Sequence, residues 1–171
     1  MVWLWVLLGF VVLLLVPFVV GLFLPEGYEG HASARLERSP EEIWEAIHDP
    51  ERHPMSGRMC KGIHRDDGRD ASSLPEWTED LGSTKLTVTT REANRPRRCV
   101  REMRDAVVPM SAKCVIEIQP DGRGSRVTYS NATTIRSGTW HVPIFRFIMT
   151  ISHGVQRNCE NWLKGLEKEE R

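Results

Sequence analysis

HASARLERSPEEIWEAIHDPERHP, residues 31–54, decides the fold class of this chain. From His31 to Arg38, small or apolar residues (Ala32, Ala34, Leu36) alternate with polar ones, the period of a strand with one buried face. Ser39-Pro40-Glu41-Glu42 then starts a helix. Ser39 can accept from a free backbone N–H, Pro40 suits the first helical position, and Glu42 closes a capping box. Ile43, Trp44 and Ile47 form the buried stripe of a short helix, which ends before Asp49-Pro50 because the residue before a proline leaves the helical region. Glu51 to Pro54 is expected to add a second helical turn.

Beyond this stretch come strand-like runs at roughly ten-residue spacing, the rhythm of an antiparallel sheet of hairpins. They are Arg58–Arg65, Leu74–Leu81, Thr84–Glu92, Arg98–Arg104, Lys113–Gln119 and Ser125–Asn131. Asp66-Asp67-Gly68-Arg69-Asp70 reads as a polar loop, and Pro120-Asp121-Gly122-Arg123-Gly124 as a hairpin turn. After Pro143, residues Ile144, Ile148, Ile151, Val155, Cys159, Trp162 and Leu166 recur at steps of three and four, predicting one continuous helix of about six turns. The order is strand, short helix, about six strands, long helix. That is an α+β fold in which the terminal helix covers the apolar face of a curved sheet of about seven strands and leaves a cleft between them.

Before the quoted stretch, MVWLWVLLGFVVLLLVPFVVGLFLP (residues 1–25) has no charged side chain. Residues 2–24, as a helix, extend roughly 34 Å, enough for a hydrocarbon core of about 30 Å. A cleaved signal would carry a basic n-region, a shorter apolar stretch and small residues at its end; none is present. The expectation is a single-pass transmembrane anchor over 1–25, a linker over 26–30 and one ligand-binding domain over 31–171. Trp3 and Trp5 suit an interfacial belt, and Arg35 and Arg38 after the span lean towards a cytoplasmic domain.

Twenty-three basic and 23 acidic residues balance. Arg95-Pro96-Arg97-Arg98 is the one tight basic cluster, so no nucleic-acid surface is indicated. Cys60, Cys99, Cys114 and Cys159 form no C-x-x-C pair, and the six histidines offer no H-x-x-x-H. No nucleophile elbow, Walker loop or dinucleotide glycine fingerprint occurs, so neither a cofactor nor a metal is implied.

The text of residues 31–54, Trp77-Thr78-Glu79 on the third strand, the hairpin Pro120–Thr128 and the long final helix together resemble the SRPBCC or START-like superfamily, the polyketide cyclase/dehydrase and lipid-transport proteins. The resemblance covers about residues 30–168 and implies a helix-grip fold. Its members bind lipids and other hydrophobic molecules, and some are cyclases; fold alone does not choose among them. The anchor departs from the usual pattern of small members.

Residues expected to line the cleft are Trp77, Glu79, Val88, Met103, Ile116, Tyr129, Asn131, Phe147 and Ile151. Trp77 and Glu79 share a strand face by the period of two, and that face points inward by the resemblance. A carboxylate there needs a partner, for which Arg101 is the candidate. Tyr129 and Asn131 could orient a ligand in an otherwise apolar pocket. The expected function is membrane-anchored binding or transport of a hydrophobic small molecule, such as a lipid, quinone or polyketide-like compound. The alternatives are a regulatory module that engages a partner protein, and a cyclase or dehydratase with Glu79 as acid/base.

Overall fold

A computed structural model describes residues 2–65 and 74–168, so the polar loop Asp66–Asp70 lies outside the described residues. The chain runs α1 (Val2–Leu22), β1 (Gly27–Leu36), α2 (Pro40–His48), β2 (Gly62–Arg65), β3 (Glu76–Asp80), β4 (Lys85–Asn94), β5 (Arg98–Asp105), β6 (Met110–Asp121), β7 (Gly124–Ile135), α3 (Val142–Ser152) and α4 (Gly154–Lys168). The strands form one seven-stranded sheet in the order β1-β7-β6-β5-β4-β3-β2, antiparallel throughout. Only β1 leaves its place in sequence. It pairs with β7 because α2 carries the chain from β1 across to the far edge.

The capping box forms as the sequence implies. Glu42 N–H donates to Ser39 Oγ at 3.3 Å, and Ser39 N–H donates to the Glu42 carboxylate at 2.8 Å. Ile43, Trp44, Ala46 and Ile47 are buried. The expected second helical turn forms only as a single hydrogen-bonded turn, in which His53 N–H donates to Asp49 O (2.9 Å), and a 3-10 turn follows at Gly57–Met59.

Two expectations need correction. The linker expected over 26–30 is mostly strand: β1 starts at Gly27 and pairs Gly27 to Gly30 with Thr134 to Asn131. The single long C-terminal helix is two helices. His153 adopts a left-handed conformation (φ 50°), and its N–H donates to the carbonyls of Met149 and Thr150, closing α3. Gly154 follows and opens α4. The break halves the stripe. Val155, Cys159, Trp162 and Leu166 of α4 are buried, whereas Ile148 and Ile151 of α3 are exposed.

α4 crosses β1 and β7, and with α2 it closes the concave face of the sheet. The crossing is close because residue 30 is glycine: a Cβ there would lie 2.8 Å from the backbone nitrogen of Gln156. Gln156 also clasps the strand edge, accepting from His31 N–H and donating to His31 O. Among the described residues no helix is long and apolar enough to cross a membrane; the side chains at 2, 4, 6–8, 10 and 14 of α1 are not described.

Replacing Gly30 with alanine should force α4 off the sheet edge. We expect a loss of about 1–3 kcal/mol, typical of overpacking, in urea denaturation followed by tryptophan fluorescence. An unchanged midpoint would show that the crossing has slack.

Candidate functional site

Strand register brings most of the expected residues onto one surface. Trp77 lies opposite Val88, Val88 opposite Met103, and Met103 opposite Ala112. The next row runs Thr90, Arg101, Cys114, Asn131, and the one after it Cys99, Ile116, Tyr129. Directly paired residues share a face, so Trp77, Glu79, Val88, Met103, Ile116, Tyr129 and Asn131 all point under α2 and α4. Phe147 and Ile151 do not join them. They belong to α3, which packs against α1 beside the sheet, and Ile151 faces outward.

The expected cleft is filled. Trp162 of α4 stacks on Tyr129 with ring centroids 4.5 Å apart, and His53 meets the other side of Trp162 edge-on at 4.6 Å. Tyr129, Ile116, Val88 and Glu79 have no solvent-accessible surface, so none borders a space that holds even one water. The Tyr129 hydroxyl donates to Cys114 Sγ (3.1 Å), and Thr133 Oγ1 to Asn131 Oδ1 (2.8 Å). All four cysteines are free thiols; burial pushes those of Cys114 and Cys159 up to about 12 and about 11, which makes them inert packing groups.

Two charged groups sit in this interior, and they do not pair with each other as expected. Glu79 accepts from Met55 N–H (2.7 Å), Ser56 N–H (2.8 Å) and Trp77 Nε1 (3.0 Å). Both oxygens accept hydrogen bonds, so Glu79 pins the α2–β2 segment to β3. Arg101 lies 5.0 Å over the Trp77 ring and donates to Ile47 O (2.7 Å) and Met55 Sδ (3.3 Å). Among the described residues no carboxylate forms an ion pair with it. Its Nε, the hydroxyl of Thr90 directly opposite, and Trp162 Nε1 are buried with no hydrogen-bond partner. Burial lowers the pKa of this guanidinium; arginine side chains keep their proton in proteins. An open cleft of about 310 Å³ lies outside the same α2–β2 segment, lined by Glu51, Pro54, Cys60, Lys61, Gly62 and Ile63.

Sequence reasoning missed His53 and Met55, which fill the interior from an irregular segment. Loops have no period, so nothing in the text marks which of their residues turn inward.

No protein-family model matches the chain, and no curated protein does. Solved structures do match. TTHA0849 from Thermus thermophilus superposes with a TM-score of 0.61 at 16% identity, over 82% of this chain and 94% of that one. Hypothetical protein jhp0584 from Helicobacter pylori gives 0.60 at 10% identity over 86% and 89%. Ara h 8.0201, whose fold is the helix-grip type of the SRPBCC proteins, gives 0.52 at 8% identity over 80% and 97%. The domain is a helix grip. At these identities the likeness extends to the fold and no further.

The helix-grip interior gives a pH dependence. Burial, then the positive charges of Arg101 and Arg38, hold the His53 imidazole down at about 4. The unfolded chain binds that proton near pH 6.5. Stability from this group is therefore complete above about pH 6.5 and is lost as pH falls towards 4, by roughly 3 kcal/mol at most. Burial shifts His48 the same way, so the comparison must be with His53→Phe. Between pH 7 and 5 the wild-type melting temperature should fall more steeply than the variant's; parallel slopes would show that folding does not lower the His53 pKa.

Proposed function

We propose that this protein is a membrane-anchored helix-grip domain that binds a hydrophobic small molecule bearing an anionic or strongly accepting head group. The observation that carries this is Arg101: a fully buried guanidinium with no carboxylate partner among the described residues, beside an unpartnered Thr90 hydroxyl. Burying an unpaired ion costs several kcal/mol, and a core selected for stability alone would use Met or Leu at that position. An interior cation with an unpartnered donor calls for an explanation, and a partner that comes from outside supplies one. A carboxylate or phosphate seated there would gain charge-assisted hydrogen bonds, with its apolar tail displacing Met55 or the face of Trp162. On this reading the filled interior is the closed form of the site, and entry requires the α2–β2 segment or α4 to move.

Tethering is assigned to α1. Across its whole sequence Val2–Leu22 carries no charge, and 21 residues of helix reach about 31 Å. A tether holds the domain next to the phase in which such ligands dissolve, which raises their effective concentration. Arg35 and Arg38 are the first positive side chains after the helix and favour a cytoplasmic domain; protease digestion of sealed inverted vesicles should degrade it, and full protection would place it on the other side.

The filled interior favours a second function, a module whose outer surface engages a protein. Native mass spectrometry of the full chain released from detergent distinguishes them. We expect a retained adduct in wild type and at least tenfold lower occupancy in Arg101→Met, with a melting temperature no lower than wild type. A wild-type protein that emerges uniformly empty, and takes up no added oleate, supports the module instead.

A further inference from the structure

We infer that α3 is an interfacial membrane helix, lying in the leaflet that receives the C-terminal end of α1. This rests on α1 being the anchor. Its own basis is the distribution of charge on α3. Of the eleven residues Val142–Ser152 only Arg146 is charged, and it is turned inward. Its Nη2 donates to Ile135 O (2.8 Å) and Ser137 Oγ (3.0 Å) and pairs with Glu26 at 2.7 Å, while Nε reaches Ile135 O. Hydrogen bonds from Ser137 and Arg146 lower the Glu26 pKa, so this anchor point is ionised at neutral pH. Phe145, Ile148 and Ile151 occupy successive turns of the opposite side, with Ile148 50% and Ile151 62% exposed.

The occupant of this face is indicated by continuity. Gly21 of α1 meets the backbone of Pro143 so closely that a Cβ would overlap its carbonyl, and α1 and α3 pack together. The uncharged surface of α1 therefore runs directly into the uncharged surface of α3. Trp140, 77% exposed, stands just before α3, and Arg136 is exposed a few residues earlier. An indole at the rim and an arginine beside it suit the headgroup region of an anionic leaflet. An apolar helix face with polar flanks, whose one charged side chain is turned inward onto Glu26, is the form of a helix that lies in the interface without crossing it. The consequence is orientation: two contacts, one spanning and one flat, fix how the domain faces the bilayer.

Site-directed spin labelling of the full chain in phosphatidylcholine/phosphatidylglycerol vesicles tests this. Labels go on Ile148→Cys, Ile151→Cys, Val11→Cys and Lys164→Cys in a Cys60→Ser background, since Cys99, Cys114 and Cys159 are buried. All four labelled positions are exposed, so folding should tolerate them. We expect labels at 148 and 151 to collide several-fold more with oxygen than with a water-soluble nickel chelate, as at position 11, with the reverse at 164. Water-like collisions at 148 and 151 with lipid-like ones at 11 would overturn the assignment of α3 while leaving the anchor. Water-like collisions at 11 as well would remove both. Dipolar broadening at 148 or 151 would make α3 a contact between copies of the chain and overturn the membrane assignment.

Discussion

Trp162 stacked on Tyr129 is the contact through which α4 and the sheet hold each other. It exists because two glycines make room at the crossing. Gly30 lets the helix backbone come down onto β1, and Gly165 leaves room for the His53 ring that closes the other side of the indole, where a Cβ would lie 3.1 Å from His53 Cε1. With the indole between a phenol and an imidazole, the concave face becomes a packed core. A stack of this kind contributes about 0.5–1.5 kcal/mol beyond the area it buries. Its larger effect is geometric: it sets the distance between α4 and the sheet, and hence whether a ligand fits there.

The polar groups of that interior divide into two kinds. Glu79 is complete, with three N–H donors on its two oxygens, and it converts an irregular segment into a fixed wall. Arg101 is incomplete, held by a carbonyl, a thioether and an indole face but not by an acid. Satisfied polar groups specify a structure, whereas unsatisfied ones cost stability and are kept where they serve something else. Two buried charges sharing the same Trp77 and Met55 thus differ in whether the fold itself supplies their partners.

α1 and α3 make a unit of their own beside the sheet, joined to it through Glu26 and Arg146. That ion pair takes the only charge on α3 out of its outer surface and ties it to the residue that follows the apolar stretch. The break at His153 has the same consequence. A continuous helix would have carried the stripe of Ile144, Ile148 and Ile151 into the core; the left-handed turn lets one part of the apolar pattern face outward and the other part inward.

Local chemistry was legible in the amino-acid sequence. The Ser39–Glu42 capping box, the alternation of the strands, the Pro120–Gly124 turn and the uncharged lead stretch are interactions between residues a few positions apart, and text records them directly. Strand alternation also put Trp77 with Glu79, and Tyr129 with Asn131, on one face of their own strands; that these faces point inward was implied by the resemblance, and the register that joins them with Val88, Met103 and Ile116 came from the fold. Whether that face encloses a space, that Glu79 and Arg101 take separate partners, that His53 and Met55 turn inward, and that Ile148 and Ile151 leave the core were decided only by the fold. Each depends on contacts between residues far apart in the chain: Trp162 with Tyr129, Glu79 with Met55, Arg146 with Glu26. Distances of that kind are set by the packing of whole elements, which no local pattern encodes.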